Sequence, residues 1–285
     1  MMKRTILLWG AAFVMALMAV ACGGTQQENS VQDSLVNQSD DVTIYYDGNG
    51  CTLIAIRDKA TEHPAELFKG SYNDSLLSAL LPSGGARSAI NVFEAKFAEG
   101  PTVLFDAGIG AEAGGRLMEN LGAPEEIDAI CLTHLHPDHI GWLLADGKAA
   151  FPSATIYLSE TENASTSQWE ATSPLLARWQ QVKEAYAGKI VTFADNAALF
   201  DGRVQTLPAP GHTPGHTLFQ IGNCLIAGDI LHSQDLQLDN PDFCARYDQD
   251  PTTAVATRKQ ILEYVRNNHL QLCGAHCYLP FIKLN

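Results

Sequence analysis

Three histidines and an aspartate share six consecutive positions in "HLHPDH": His134, His136, Asp138 and His139. Imidazole nitrogens and carboxylate oxygens are ligands for borderline divalent metals, and a short loop at a strand end can aim several of them into one cavity. A solvated polar turn has no need for three of the chain's nine histidines. One tetrahedral ion would leave a donor buried without a partner, so this spacing suits two metals better than one. Two ions need further ligands, and the sequence supplies candidates in similar settings. His212 lies in "LPAPGHTPGHT", Asp229 ends "CLIAGD", and His276 lies in "LQLCGAHCYLP", each just past an apolar run. A carboxylate that closes an apolar strand is costly unless it is paired or bound.

The elements that must position these donors follow from apolar periodicity. "VTIYY", "CTLIAI", "SAINVFEAKF" and "TVLFDAG" read as strands, and "EIDAICLTH" as a buried strand ending on the histidine cluster. "AEAGGRLMENLG" predicts a helix closed by Gly122. "TIYLSE" is a further strand, followed by a helical region from about Thr161 to Ala187 that contains Trp169 and Trp179. "KIVTFA", "GRVQTLPAPG", "HTLFQIG" and "NCLIAGD" form a second β-rich series. A long helix then presents Val255, Ile261, Leu262 and Val265 on one face. Strands, helices, strands and a helix in that order predict an α/β four-layer αββα sandwich, two packed sheets with helices outside, rather than a βαβ parallel fold.

These motifs resemble the metallo-β-lactamase superfamily, whose H-x-H-x-D-H hallmark is "HLHPDH" here. "LFDAGIG", "THLHPDHIGWL", "APGHTPGHT" and "AGDILH" follow the family's blocks in order, from about Asn91 to the C-terminus. "GDILHSQDLQLDNPDF", "DPTTAVATRKQILEYV" and "GAHCYLPF" look most similar to the methyl parathion hydrolase and lactonase branch. The resemblance implies the metallo-β-lactamase fold and two divalent metal ions, with zinc as the default. His134, His136 and His212 would hold one ion, Asp138, His139 and His276 the other, and Asp229 would bridge them. It implies a hydrolase acting on a small ester, lactone or organophosphate-like substrate through a hydroxide shared by the ions, with Asp138 also relaying a proton to the leaving group. Asp106 in "LFDAG" resembles the family's buried aspartate that orients a ligand histidine. His216 takes a non-ligand position that steadies its loop. His232 is read as facing either the pocket or solvent, and His63 and His269 as surface residues. Trp142, Leu236 and Phe243 are read as pocket lining or core.

Two other functions remain open: a β-lactamase, and a non-catalytic lipoprotein that binds metal or a ligand. No G-x-S-x-G elbow points to a serine hydrolase. The family's diiron redox branch has glutamate where His136 stands.

The bulk numbers narrow the partners. With 285 residues, 46% of them apolar, the chain has enough material for a substantial core. Eighteen basic residues against 32 acidic ones give a net charge of −14, which disfavours nucleic acid and leaves a small-molecule substrate. Lys3 and Arg4 precede an apolar run from Ile6 to Ala21 that falls short of the roughly 20 residues that span a bilayer, so it reads as an export signal. "AVAC" resembles a bacterial lipobox, which makes Cys22 the lipid-anchored first residue of the mature protein, and Gly23 resembles sorting to the outer membrane of the cell envelope. The expected organisation is a lipoprotein signal peptide over 1–21, a polar tether over 22–41 and one domain over 42–285. Cys131 and Cys224 sit in apolar runs as small core residues, and no disulfide is expected. The oligomeric state is left open.

Overall fold

A computed structural model of the chain describes residues 34–46 and 50–284. The expected signal peptide, Cys22 and most of the tether lie outside the described residues. Among those described, two sheets carry the fold. The first takes β1 (Ser34–Asn37), β2 (Val42–Tyr46), β3 (Cys51–Pro64), β4 (Gly85–Phe97), β5 (Thr102–Phe105) and β6 (Ala129–Cys131) in sequence order. A small separate hairpin follows, β7 (Leu144–Ala145) with β8 (Lys148–Ala149). The first sheet then finishes with β9 (Thr155–Ser159) and β10 (Ile190–Phe193). The second sheet runs β11 (Ala198–Leu199), β12 (Val204–Pro208), β13 (Thr217–Ile221), β14 (Cys224–Ile226), β15 (Gln271–Cys273) and β16 (Phe281–Lys283).

Three apolar layers separate four layers of structure. Between the sheets, Tyr45, Phe93 and Phe105 of the first meet Phe219, Ile226 and Phe281 of the second. The Phe105 and Phe219 rings lie 5.3 Å apart, within the range of favourable aromatic pairing. Outside the first sheet, α1 (Asp74–Leu80), α2 (Leu117–Asn120), α3 (Pro137–Ile140), α4 (Glu160–Ser165) and α5 (Pro174–Ala185) precede β10 in the chain. Leu117, Trp179 and Val182 from this set pack on Ile130, Leu132 and Ile156. Then come α6 (Gln234–Gln237) and α7 (Pro251–Asn267), and α7 covers Leu218, Leu225 and Leu272 of the second sheet with Ile261, Leu262 and Val265. Each such side chain withdrawn from water is worth about 1.5–3 kcal/mol. The αββα expectation holds.

Five details differ from the sequence reading. β5, β6, β9 and β10 run parallel, because helical crossovers connect them, so half of the first sheet is parallel after all. The helix expected over 161–187 is two helices: Ser173 caps the second and Pro174 occupies its first turn, where a missing N–H costs nothing. The helix expected over 111–122 shrinks to α2, since Gly114 turns the chain at φ +80° and Gly115 is wedged against Asp58. Ser34–Asn37, expected in the tether, forms edge strand β1 on β2, held by main-chain pairing that needs no apolar pattern. On α7, Val255 is only half-buried, while Ala254, Thr257 and Arg258 complete the inner face. Cys131 and Cys224 are buried in their strands. No described helix is long and apolar enough to cross a membrane.

Candidate metal centre

Strand β6 is paired on both sides and delivers the chain, through Leu132 and Thr133, to His134. Pro137 opens α3, and this single turn carries Asp138 and His139 back beside His134. Gly141 lets α3 end against the 108–110 loop; a Cβ there would stand 2.1 Å from the Ile109 carbonyl carbon. The other donors come from the second sheet. His212 follows β12, Asp229 follows β14, and His276 follows β15. Gly228, at φ +49°, permits the turn that presents Asp229, since a Cβ would meet the His216 ring. His216 Nε2 accepts the Asp229 backbone N–H at 3.0 Å, so it steadies this turn as expected of it.

The seven candidate donors meet at one place. His134, His136, His212 and Asp229 bring donor atoms within 4.8 Å of one another, and so do Asp138, His139 and His276. Asp229 joins the two groups: Oδ1 is 3.0 Å from His139 Nε2, and Oδ2 is 3.1 Å from His212 Nε2 and 3.3 Å from His276 Nε2. His212 Nε2 also lies 3.2 Å from His134 Nε2 and 2.8 Å from His136 Nδ1. Three ring nitrogens facing one another cannot all be satisfied by hydrogen bonds among themselves, because two lone pairs cannot share a contact without a proton.

Each ring is held from behind. His139 Nδ1 donates to Asp106 Oδ2 at 2.7 Å, and His276 Nδ1 donates to the Ala89 carbonyl at 3.0 Å, which leaves each Nε2 aimed at the cluster. Thr133 Oγ1 lies 2.9 Å from His134 Nδ1 and donates to Asp106. Asp106 adopts φ +62°, a conformation uncommon outside glycine and asparagine that puts its carboxylate under Thr133 and His139. Buried Asn91 donates to the Gly274 and Cys277 carbonyls at 3.0 and 2.7 Å, tying the His276 loop to β4.

Electrostatics match the geometry. Burial first, then neighbouring imidazoles, push His136 down to about 4 and His134 well below its usual range, so both rings are neutral. Burial opposes the charge on Asp229, but His276, His139, His212 and His134 outweigh it and hold this carboxyl well below the ordinary value. His212 moves the other way, to about 9, where Asp229 and Asp248 overcome the burial penalty. Asp106, Asp138 and Asp229 thus concentrate negative charge around His139, which a cation would balance.

The cluster floors a cavity of about 380 Å³ lined also by Ile90, Ile109 and Pro137. The metallo-beta-lactamase superfamily model matches residues 86–265. The chain belongs to this superfamily. Similar curated proteins include the hydroxyacylglutathione hydrolase of Edwardsiella ictaluri, 28% identical over 132 residues, which span 46% of this chain and 43% of that enzyme. Another is the N-acyl homoserine lactonase of Bacillus thuringiensis, 27% identical over 205 residues, covering 66% of this chain and 71% of the lactonase. The chain therefore spans less than half of the hydroxyacylglutathione hydrolase. Both named relatives are hydrolases. Among solved structures, the hydrolase AbOPH of the beta lactamase superfamily has a TM-score of 0.75 at 25% identity, covering 87% of this chain and 94% of that one. The dizinc quorum-quenching lactonase AidC, in complex with the product N-hexanoyl-L-homoserine, has a TM-score of 0.72 at 25% identity, covering 89% and 94%.

This metallo-β-lactamase superfamily chain also uses residues that its motifs do not reveal. Asp248 accepts from His212 Nδ1 at 2.9 Å and is held in turn by buried Arg258 at 3.3 Å and by the Cys244 thiol. Glu162 accepts from Leu135 N, Thr213 Oγ1 and Gly215 N. Asp58, at the bulge in β3, accepts from Ile109 N, Leu117 N and the Trp142 indole. Trp142 thereby belongs to the packing outside the first sheet, and Leu236 and Phe243 to a core cluster with Phe68; none of the three lines the cavity. His269 is exposed. His63, expected at the surface, instead lines the cavity, because β3 extends two turns' length beyond its apolar segment and carries the ring over the site. His232 is buried and faces the cavity as well.

Proposed function

We propose that this chain is a binuclear metal-dependent hydrolase of small, uncharged esters, lactones or organophosphate-like triesters. The observation that carries the reading is the meeting of seven His and Asp donors on the floor of a cavity whose lining includes no Ser, Cys or Lys to serve as a nucleophile. His134, His136 and His212 would hold one ion, Asp138, His139 and His276 the other, and Asp229 both; neutral imidazoles backed by hydrogen-bonded carboxylates are suited to zinc. When bound, such a pair lowers the pKa of water toward neutrality and polarises the scissile carbonyl or phosphoryl oxygen.

The chain's own residues do the rest. Asp106, Asp248 and the Ala89 carbonyl fix which nitrogen of His139, His212 and His276 faces inward. Ile90, Ile109 and Pro137 exclude bulk water from the reacting bond. Asp138, with its side chain 26% exposed to the cavity, is placed to pass a proton to the leaving oxygen. The lining includes no Lys or Arg, so the carboxylate of a penicillin would find no cation there, which favours neutral esters and lactones over a β-lactamase.

A panel of zinc-loaded turnover measurements on an aryl ester, an acyl lactone and a penicillin tests this. Turnover of ester or lactone well above that of penicillin is expected; preference for penicillin, or no turnover at all, contradicts the reading. The same proposal keeps the enzyme outside the cytoplasm, anchored in the envelope through Cys22. Cys22→Ser is expected to move the protein from the membrane fraction to the soluble one, and unchanged fractionation would reject the anchor.

A further inference from the structure

Above the metal donors, the cavity has a second polar wall that the proposed chemistry does not use. Thr61 and His63 stand two residues apart on β3 and therefore share one face of the strand. The His63 ring lies 5.5 Å from that of His276 and 6.2 Å from that of His232, which stacks on His276 at 5.6 Å. All three residues line the cavity. Thr61 Oγ1, His63 Nε2 and His232 Nδ1 are buried, and none has a hydrogen-bond partner among the described residues. Native proteins seldom leave buried polar atoms unmet, and three of them on one wall of one cavity point to a ligand group that meets them.

The chemistry of that group follows from the wall. A hydroxyl and imidazole nitrogens can each donate or accept, whereas a full negative charge calls for a cation that the lining does not contain. An amide offers one acceptor and one donor and carries no charge. We propose that Thr61, His63 and His232 form a specificity wall that selects substrates bearing a neutral amide away from the scissile bond. This rests on the hydrolase reading above. The wall positions the acyl part of the substrate, while the opposite face of the cavity holds the reacting carbonyl.

Two esters of equal length and identical leaving group separate the effects: 4-nitrophenyl acetamidoacetate and 4-nitrophenyl pentanoate, each rate divided by that ester's own hydroxide-catalysed rate. The zinc-loaded full chain is expected to favour the amide ester by roughly tenfold in kcat/KM, the scale of one well-placed hydrogen bond. His63→Leu and Thr61→Val should each shrink that ratio several-fold at unchanged zinc content, and His63→Gln, which keeps a hydrogen-bonding group, should restore part of it. A parent with no preference, or variants that keep the full preference, would overturn the wall and leave the hydrolase standing. Failure of the parent to cleave either ester would overturn both.

Discussion

Replacing Asp229 with alanine is expected to lower kcat/KM by on the order of 10³-fold or more, since the Lewis-acid contribution at such sites is several kcal/mol and each 1.4 kcal/mol is tenfold. Asp229 is the one side chain within 3.4 Å of donor atoms from both groups, so no neighbour can take over its place. Its loss also leaves His139, His212 and His276 without the carboxylate that draws their ring nitrogens together. The check is steady-state kinetics on the folded, zinc-saturated variant, with circular dichroism to establish folding. A folded variant that hydrolyses ester or lactone at the parent's rate would show that the bridging position is irrelevant to catalysis.

The second large effect is expected at Glu162, which touches none of the seven donors. Its Oε1 accepts the Leu135 N–H at 3.1 Å, between His134 and His136, and its Oε2 accepts from Thr213 Oγ1 at 2.7 Å and Gly215 N at 3.0 Å, just past His212. One carboxylate thus fastens the histidine loop of the first sheet to that of the second. Ser159 caps α4 through the Glu162 N–H and donates to the Gly215 carbonyl, so the helix is itself held against the same loop. In Glu162→Ala two buried amides lose their acceptor, a cost of about 2–5 kcal/mol in stability. Residues that orient ligands indirectly are worth roughly 10–100-fold in metal affinity, and a loss of that size is expected for zinc. Glu162→Gln, which keeps the volume and one acceptor, should recover part of both. Thermal melts with and without zinc, together with competition titration against a chelator, give the two numbers. Parent-like melting and zinc affinity in the alanine variant would rule out the staple.

How far such a site can be read from sequence depends on where each residue's partners lie. The four donors of "HLHPDH" are adjacent in the chain, and Asp229 stands out because a carboxylate closes an apolar strand. Glu162 carries no such mark. It sits in polar "ETENAST" and would pass for an exposed helical residue, and its burial comes from loops 51 and 53 positions away. Asp248 lies in a polar turn, and only the buried Arg258 on the inner face of α7 hints that a charge must be met there. His63 is hidden for another reason: the apolar alternation of β3 fades after Asp58, yet pairing with β4 continues to Pro64. The layered fold is legible because apolar periodicity reports burial directly, whereas the parallel half of the first sheet depends on crossover geometry that periodicity does not encode.

Calorimetric titration of zinc into the chelator-treated protein at pH 7, run in two buffers of different protonation enthalpy, measures how many ions enter and how many protons leave. Two equivalents are expected, with net proton release, because His212 is held up to about 9 and His139 and His276 are raised as well, so protons occupy nitrogens that a metal must take. For the same reason zinc affinity should weaken as pH falls below neutrality. Saturation at a single equivalent, or uptake without proton release, would contradict a two-ion centre built from these seven side chains.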